Sequence, residues 1–397
     1  MTTDQTPAAT AGEGLSRDQI TRYSRHLIIP EVGTAGQRRL LDARVLVIGA
    51  GGLGSPAMLY LAAAGVGTIG IVDDDVVEVS NLQRQVIHSV TDVGRSKVTS
   101  ASDSVAQIDP AIVVEPWPVR LSADNAVDII GRYDVVLDGT DNFATRYLVN
   151  DACVLAGVPL VWASIFRFDG QLTVWNHHDG PCYRCVFPEP PPAGSVPSCA
   201  EGGVLGILPA VIGSAQVAEA LKLVMGIGET LTGRLLVHDA LRASWSEIRV
   251  SRNPDCVVCG DQAVPQTPGL PQEMCAALPD DVSRAAAGRT LDVPTLRHRL
   301  AERAAGREDF VLVDVREPNE LAINHIDGAI NIPKGEFEAG RFVGELDPAT
   351  PLVLFCKGGV RSAQCLALAQ AAGFDAEHLD GGITAWVDQA EPEQLRY

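Results

Sequence analysis

Short apolar runs that end on glycine or acid recur along this chain, with longer stretches of spaced apolar positions between them. Arg44-Val-Leu-Val-Ile48 is such a run, ending on Gly49, and reads as a buried strand entering a tight turn and then a helix, over 44–64. Thr68 to Val72 is a second apolar strand and ends on Asp73-Asp74-Asp75. Ile112 to Glu115 and Asp134 to Leu137 are further strand candidates, the latter closing on Asp138-Gly-Thr-Asp-Asn142. Upstream, Ser16 to Leu41 reads as helical, because Ile20, Tyr23, Leu27 and Ile28 recur near helical spacing. Strands alternating with helices predict an α/β fold whose sheet is mostly parallel and covered on both faces. Leu172 to Trp175 opens a more β-like section, so the sheet is expected to be mixed.

The pattern changes twice more. Met1 to Leu15 is polar and rich in small residues, and residues 1–16 are expected to form a disordered tail. From Asp261 to about Asp281 the chain turns to Pro, Gln, Gly and Asp, a linker composition that we bound at 263–284. A new α/β pattern starts near Leu291: strands Val311 to Val315 and Leu352 to Phe355, helix Ser362 to Ala372, and a Gly381-Gly382 turn. Two domains are therefore expected, 17–262 and 285–397, which suits 397 residues at about 100–200 per domain.

No apolar run approaches the ~18 residues of a membrane span; Leu208 to Ile227, for example, contains Glu219 and Lys222. The first residues have neither a basic start nor an apolar core, so no secretion signal is read there and a cytoplasmic protein without a membrane partner is expected. The net charge of -19 argues against a nucleic-acid partner, since no excess of Lys and Arg is present to displace phosphate counterions. Nine cysteines in such a chain suggest metal or catalysis more than disulfides.

Gly49-Ala-Gly51-Gly52-Leu-Gly54 fits G-x-G-x-x-G between strand and helix, where the backbone can approach phosphate and the helix start favours negative charge. Asp73, 19 residues after Gly54 at a strand end, stands where a ribose-binding acid belongs. Alone, this motif points to a nicotinamide or flavin dehydrogenase. The continuation argues otherwise: Ser80-Asn81-Leu82-Gln83-Arg84, then Lys97, then Asp141-Asn142 add two cations and further acid. A redox dinucleotide does not require Arg84 and Lys97. A triphosphate undergoing cleavage does, because charge must be neutralised as pyrophosphate leaves, and Asp141 suits the accompanying Mg²⁺.

From Arg22-Tyr-Ser-Arg25-His26 through these motifs, residues 17–262 strongly resemble the ubiquitin-activating-enzyme-like family of MoeB and ThiF. The resemblance implies a Rossmann-like adenylation domain and ATP-dependent adenylation of the C-terminal glycine of a small ubiquitin-like protein. Carried over by position, it implies that Gly52 and Asp73 contact the nucleotide, with Asp73 on the ribose. Ser80, Asn81, Leu82, Gln83, Arg84 and Lys97 would bind phosphates, and Asp141 would sit by the magnesium with Asn142 beside it. Arg25 matches an arginine that reaches into a neighbouring subunit's site, so a homodimer is implied.

Cys182-Tyr-Arg-Cys185 and Cys256-Val-Val-Cys259 are two C-x₂-C knuckles. Each sets two thiolates on one side of a turn, and two knuckles complete a tetrahedral Zn²⁺ site. The 70-residue gap between them is long for a compact ribbon, and a redox role would need only one pair; the family resemblance supports zinc.

Cys356-Lys-Gly-Gly-Val-Arg361 follows a strand and precedes a helix, so backbone N–H groups and the helix start can stabilise negative charge on the sulfur. A Cys-x₅-Arg loop would suit phosphate; this Cys-x₄-Arg loop is one residue shorter and better suits a persulfide. With Val313-Asp-Val-Arg-Glu-Pro318, His325-Ile-Asp-Gly-Ala329 and Leu379-Asp-Gly-Gly382, residues 285–397 resemble a single α/β rhodanese domain. The resemblance implies that Cys356 carries a sulfane sulfur. Lys357 stands where arginine is frequent, a difference that bears on donor preference. Cys199, in Pro197-Ser-Cys-Ala-Glu-Gly-Gly203 after a Pro-rich run, is a candidate to attack an adenylate or resolve a persulfide. Cys153, Cys275 and Cys365 read as structural or incidental.

The whole arrangement resembles MoeB–rhodanese fusions. These imply adenylation of a sulfur carrier ending in Gly-Gly, of the MoaD, ThiS or CysO type, then transfer of sulfur from Cys356 to give a thiocarboxylate for molybdopterin and related sulfur metabolites. A sulfane sulfur donor is required. The rivals are a Rossmann oxidoreductase with an appended redox domain and an activator for protein conjugation or tRNA thiolation.

Overall fold

The computed structural model describes residues 14–191, 202–264, 268–269 and 288–397. Most of the expected tail and linker, and Cys199 and Cys275, lie outside the described residues. The described residues divide into two compact units: those of Met1–Pro190 and Pro197–Pro271, and those of Pro191–Val196 and Gln272–Tyr397.

The first unit is built on eight strands: β1 (Arg44–Ile48), β2 (Thr68–Val72), β3 (Val113–Trp117), β4 (Val135–Asp138), β5 (Leu160–Phe166), β6 (Asp169–Trp175), β7 (Arg234–Asp239) and β8 (Ser244–Arg249). Their order is β3-β2-β1-β4-β5-β6-β7-β8. The first five pair in parallel and the last three join antiparallel, so the sheet is mixed as expected. Alternation along β1 feeds two cores. Val45 and Val47 pack with helix Gly54–Ala64 and helix Leu208–Met225, while Leu46 and Ile48 pack with Tyr147, Leu160 and Trp162. β3 runs two residues further than its apolar pattern and contains Pro116; as an edge strand paired with β2 alone, it tolerates a residue that cannot donate.

Two helical stretches differ from a plain reading of their apolar pattern. The single helix expected over 16–41 is three: Arg17–Arg22, Ser24–Leu27 and Gly33–Asp42. Ser16 and Gln19 cap the first reciprocally. The chain then turns through 28–32, where Pro30 has no N–H for a helical ladder and disfavours helical backbone at the residue before it. Helix Leu208–Met225 is long and apolar enough, by length and composition, to cross a membrane, but half of it is buried within this unit. Glu219 on it accepts from the Leu231 N–H at 2.8 Å and pairs with Lys222, so it is a core helix with its acid satisfied.

The second unit has a five-stranded parallel sheet, ordered β11-β10-β12-β13-β9, from β9 (Thr290–Leu291), β10 (Val311–Asp314), β11 (Ile330–Asn331), β12 (Leu352–Phe355) and β13 (Ala376–Leu379). Again the strands bury both faces: Leu352 and Leu354 on one side, Val353 and Phe355 on the other. At the end of β10 the Arg316 guanidinium is fully buried. It bonds both Asp314 carboxylate oxygens at 2.6–3.0 Å, the Asn324 side-chain oxygen at 2.8 Å and the Asn324 carbonyl at 2.9 Å. A buried cation is tolerable only when it is this fully paired. Asp314→Ala should therefore destabilise the second unit by about 3–5 kcal/mol, because it leaves that charge uncompensated. Urea unfolding of the full chain, followed at the second unit's transition, measures this; an unchanged midpoint would contradict it.

Candidate functional site

β1, β2 and β4 end along one edge of the first sheet. Gly49 follows β1 at φ +91°, a backbone region where L side chains are strained, and its N–H reaches the Val72 carbonyl at 2.8 Å. Gly139 follows β4, and its N–H reaches the Ile48 carbonyl at 2.8 Å. Gly54 opens helix Gly54–Ala64, and a Cβ there would stand 1.9 Å from the Gly49 oxygen. Gly54 therefore allows the turn to close and does not itself line the site. The result is a cavity of about 360 Å³ at the carboxyl ends of the strands, beside β1 and β4, where the strand order reverses. That is where open α/β sheets bind ligands.

Gly49, Gly51 and Gly52 line this cavity, with Asp73, Asp74 and Asp75 from the end of β2 and Asp141 and Asn142 from beyond β4. Asp73 Oδ2 accepts the Ala50 N–H at 2.7 Å and Oδ1 the Asp75 N–H at 2.8 Å, so the acid is fixed to the glycine turn. Burial pushes its carboxyl above the usual range, against the opposing pull of Lys97. Arg84 and Lys97 also line the cavity, and Lys97 Nζ pairs with Asp75 Oδ2 at 2.7 Å. Asn142 caps helix Phe143–Ala156, its side-chain oxygen accepting the Thr145 N–H at 2.9 Å.

The other members of the Ser80–Arg84 stretch do not line the cavity. Val79–Asn81 is one 3₁₀ turn, and its carbonyls hold Arg84. The Asn81 carbonyl accepts the Arg84 and Gln85 N–H groups at 3.0 and 2.9 Å, and the Ser80 carbonyl accepts from the Arg84 guanidinium at 3.1 Å. Leu82 and Gln83 complete the turn that aims Arg84. Arg25 sits exposed on helix Ser24–Leu27 and is not among the residues lining this chain's own cavity.

The structure adds residues that the motifs did not single out. Arg120 and Arg146 are further cations lining the cavity. Arg146 is buried over the rings of Phe143 and Trp162, at 5.3 and 5.8 Å. Beneath it Asp138 is fully buried, and its Oδ1 accepts the Thr140 N–H and hydroxyl at 2.9 and 2.7 Å. Burial drives that carboxyl upward, with Arg146 opposing. The one sequence signal for Arg146 is its place four residues after the Asn142 cap, one helical turn along the same face. His88 supports the glycine turn from behind, with Nε2 3.0 Å from the Ala50 carbonyl and Nδ1 2.8 Å from the Ser100 hydroxyl.

The four knuckle cysteines converge. Their Sγ atoms all lie within 4.8 Å of one another. Three of the separations are 3.6 Å (Cys182–Cys256), 3.9 Å (Cys182–Cys185) and 3.3 Å (Cys185–Cys259). A tetrahedral metal with thiolate bonds of ~2.3 Å requires an S···S edge of ~3.8 Å, so the donor set fits one. Helix Phe143–Ala156 holds this corner in place: Asn150 accepts the Tyr183 N–H at 2.7 Å, and Asp151 chelates Arg184 at 2.8 Å through both oxygens.

In the second unit β12 ends at Phe355 and Cys356 comes next, only 1 % exposed. Its sulfur accepts the Gly359 N–H at 3.1 Å, and the Ser362 hydroxyl lies 3.5 Å away. Gly359 has φ +98° and caps helix Val360–Ala371. The loop carbonyls are tied from the other side: Ile383 N–H to the Cys356 oxygen at 2.8 Å, and the Thr384 N–H and hydroxyl to the Lys357 oxygen at 3.1 and 3.0 Å. Arg361 is held away from bulk water by a bidentate ion pair to Glu320, at 2.7 and 2.8 Å. Burial raises the Glu320 carboxyl, but hydrogen bonds from Arg361 and Tyr397 outweigh it and leave the group below the usual range. Neither Glu320 nor Tyr397 was singled out by any motif.

Likeness to known proteins agrees with both sites. The ThiF family profile matches residues 23–258, and that of the rhodanese-like domain matches 297–389. The chain belongs to the ThiF family, with a rhodanese-like domain after it. It is 53% identical over 404 residues to the probable adenylyltransferase/sulfurtransferase MoeZ of Mycobacterium tuberculosis, covering 100% of both chains. It is 54% identical over 252 residues to the sulfur carrier protein adenylyltransferase of Thermus thermophilus, covering 62% of this chain and 93% of that one. Against the adenylyltransferase and sulfurtransferase MOCS3 of Mus musculus, identity is 42% over 399 residues, 94% of this chain and 86% of that one. The crystal structure of E. coli MccB with MccA-N7isoASN shares the fold, at a TM-score of 0.56 and 22% identity over 62% of this chain and 76% of that one.

The ThiF-family turn carries a pH signature through His88. Burial holds this imidazole below its ordinary value of 6.5, and Lys97 adds to that while the Ala50 carbonyl, Asp92 and Asp73 oppose it. The folded chain thus keeps the ring neutral where the unfolded chain would take a proton. Its contribution is complete above the ordinary value and is lost as the pH falls through it toward the folded value. His88→Gln should consequently lose less stability than the parent between about pH 7 and pH 5. Parallel melting-temperature profiles for the two proteins would show that His88 contributes nothing.

Proposed function

We infer that this chain activates the C-terminal glycine of a ubiquitin-like sulfur carrier with ATP and then converts it to a thiocarboxylate with sulfur carried on Cys356. The observation that carries the reading is the presence in one chain of a cation-lined glycine turn and a cysteine seated in a strand–loop–helix. The relatives' names, adenylyltransferase/sulfurtransferase and sulfur carrier protein adenylyltransferase, agree with it. We take residues 17–262 as the adenylation domain, 263–284 as a linker and 285–397 as the rhodanese domain.

In the first half-reaction the carrier's carboxylate attacks the α-phosphorus of ATP. An acyl–phosphate bond forms and pyrophosphate leaves with the electron pair. Gly49, Gly51 and Gly52 allow the backbone to approach the phosphates, Asp73 binds the ribose, and Arg84 and Lys97 neutralise the departing charge. Arg25 serves the cavity of a second copy, making the working unit a homodimer. Asp141 would hold Mg²⁺, which when bound supplies charge stabilisation on the phosphate oxygens, and Asn142 orders the loop beside it. Cys182, Cys185, Cys256 and Cys259 would hold Zn²⁺ as a closed structural site.

In the second half-reaction the terminal sulfur of the Cys356 persulfide attacks the acyl carbon and AMP leaves. A thiol, from Cys199 or from outside, then attacks the Cys356 sulfur, forms a disulfide with it and releases the thiocarboxylate. The carrier is of the MoaD, ThiS or CysO class. An external thiol reductant then opens the Cys356 disulfide, itself leaving as the oxidised disulfide, and a sulfane donor reloads the freed Cys356 thiolate.

Incubating the protein with candidate Gly-Gly carriers, ATP, magnesium and thiosulfate, then weighing each carrier intact, tests the reading. Exchange of one carboxylate oxygen for sulfur is expected. Cys356→Ala should abolish that gain and leave ATP–pyrophosphate exchange intact, whereas Asp141→Ala should lower exchange by at least about 10²-fold. Thiocarboxylate formation by the Cys356→Ala protein would sink the sulfur-delivery step. For the knuckles, elemental analysis should find about one zinc per chain, and Cys256→Ser should lose it together with thermal stability; a metal-free but fully stable parent protein would refute the assignment.

A further inference from the structure

One aromatic side chain outside the sulfur loop reaches two parts of its framework. The Tyr397 hydroxyl donates to Glu320 Oε1 at 2.7 Å and accepts from Arg316 Nη1 at 2.9 Å. Glu320 is the carboxylate that chelates Arg361. The face of the Tyr397 ring lies 4.5 Å, centroid to Nζ, from the ammonium of Lys357, the residue directly after Cys356. The ring is thus tethered at its hydroxyl end and presents its face to a loop cation.

The tether is firm because its anchors are fixed. Arg316 is locked to Asp314 and Asn324 inside the unit. The segment leading to Tyr397 is pinned as well. The Asn324 amide donates to the Leu395 carbonyl at 2.7 Å, and Gln394 exchanges two hydrogen bonds with the His325 backbone at 3.1 and 2.9 Å. Burial and the Glu320 contact keep the phenol protonated, its pKa pushed up to about 12, so the hydroxyl remains a donor at neutral pH.

A lysine ammonium on a flexible stem samples many positions. An aromatic face held within about 6 Å favours a few of them by cation–π attraction. We propose that Tyr397 is a positioning residue of the sulfur site: its tethered ring restricts the ammonium of Lys357, the loop residue after Cys356, to positions from which it meets an anionic sulfane sulfur donor. This rests on the sulfur-carrying reading of Cys356. With thiosulfate as donor the step is a displacement. The Cys356 thiolate attacks the outer sulfur, a sulfur–sulfur bond forms, and the old one breaks with its electron pair leaving on sulfite. Lys357 then acts on the binding of the charged donor more than on the displacement itself, so the effect belongs in KM.

The test is thiosulfate–cyanide sulfur transfer by the full chain, with KM and kcat measured separately. Tyr397→Leu removes ring and tether and should raise KM for thiosulfate about two- to fivefold, the range of a modest cation–π contact, with kcat nearly unchanged. Tyr397→Phe keeps the ring and should show a smaller rise. In a Lys357→Met background the Tyr397→Leu change should add nothing to KM, which a general loss of packing would not produce. An unchanged KM in Tyr397→Leu, or a full additional effect in the Lys357→Met background, overturns the proposal while leaving the sulfur-carrying reading intact. Turnover surviving in Cys356→Ala would overturn that reading, and this proposal with it.

Discussion

Both sites depend on one constraint of parallel α/β sheets. The chain leaves every strand at the same edge and must turn into a helix whose first N–H groups have no partner within the helix. Whatever sits in that turn meets converging donors and the positive end of a helix. In the first unit the turn is made of glycines, and the missing side chain of Gly54 is what lets the helix start close against Gly49. In the second unit the same turn carries Cys356, and the Gly359 N–H is directed at its sulfur. One local geometry thus opens a cavity beside bare backbone in one unit and aims a backbone donor at a sulfur in the other. The two sites differ in the residues that occupy the turn, bare backbone in one and a thiol in the other.

Locality explains why so much of both sites was legible in the sequence. The motifs are local: a strand, a turn and a helix start lie within about a dozen residues, and short-range rules suffice to place Gly49, Gly51, Gly52, Cys356 and the two knuckles. Asp73 is readable as well, because β2 is short, apolar and ends on acid. Residues brought in by tertiary packing are not readable in this way. Glu320 reaches Arg361 across 41 positions and Tyr397 reaches Glu320 across 77. His88 backs the Ala50 carbonyl from 38 positions away. No periodicity encodes such partnerships. The break in the first predicted helix is a different failure: apolar spacing outvoted Pro30, although the proline's missing donor is the stronger local fact.

The Ser80–Arg84 stretch shows that a motif read along the chain does not tell side chain from backbone. Arg84 lines the cavity while Ser80 and Asn81 act through their carbonyls, which hold the turn that aims it. A resemblance by position treats the five residues alike, but only the fold separates a side chain that lines the cavity from a backbone that orients it.

Charge is managed differently at the two sites, and the contrast follows from burial. A chain of net charge -19 gathers Arg84, Lys97, Arg120 and Arg146 around one cavity. Lys97 is nearly buried, its side chain 8% exposed, but its partner Asp75 is 67% exposed, so the pair is held by a carboxylate that water already solvates. Such a partner contributes little net stability. Arg361 and Glu320 are 12% and 8% exposed. Separating them would strand a charge in a low-dielectric interior, which typically costs about 3–5 kcal/mol. The Lys97 pair is thus the weaker and more readily exchanged of the two, and the Arg361 pair the more firmly held. The sulfur loop adds a third arrangement at Lys357, whose ammonium meets the face of the Tyr397 ring. A ring face carries no formal charge, so this contact draws the cation by the quadrupole of the ring and not by an opposite charge.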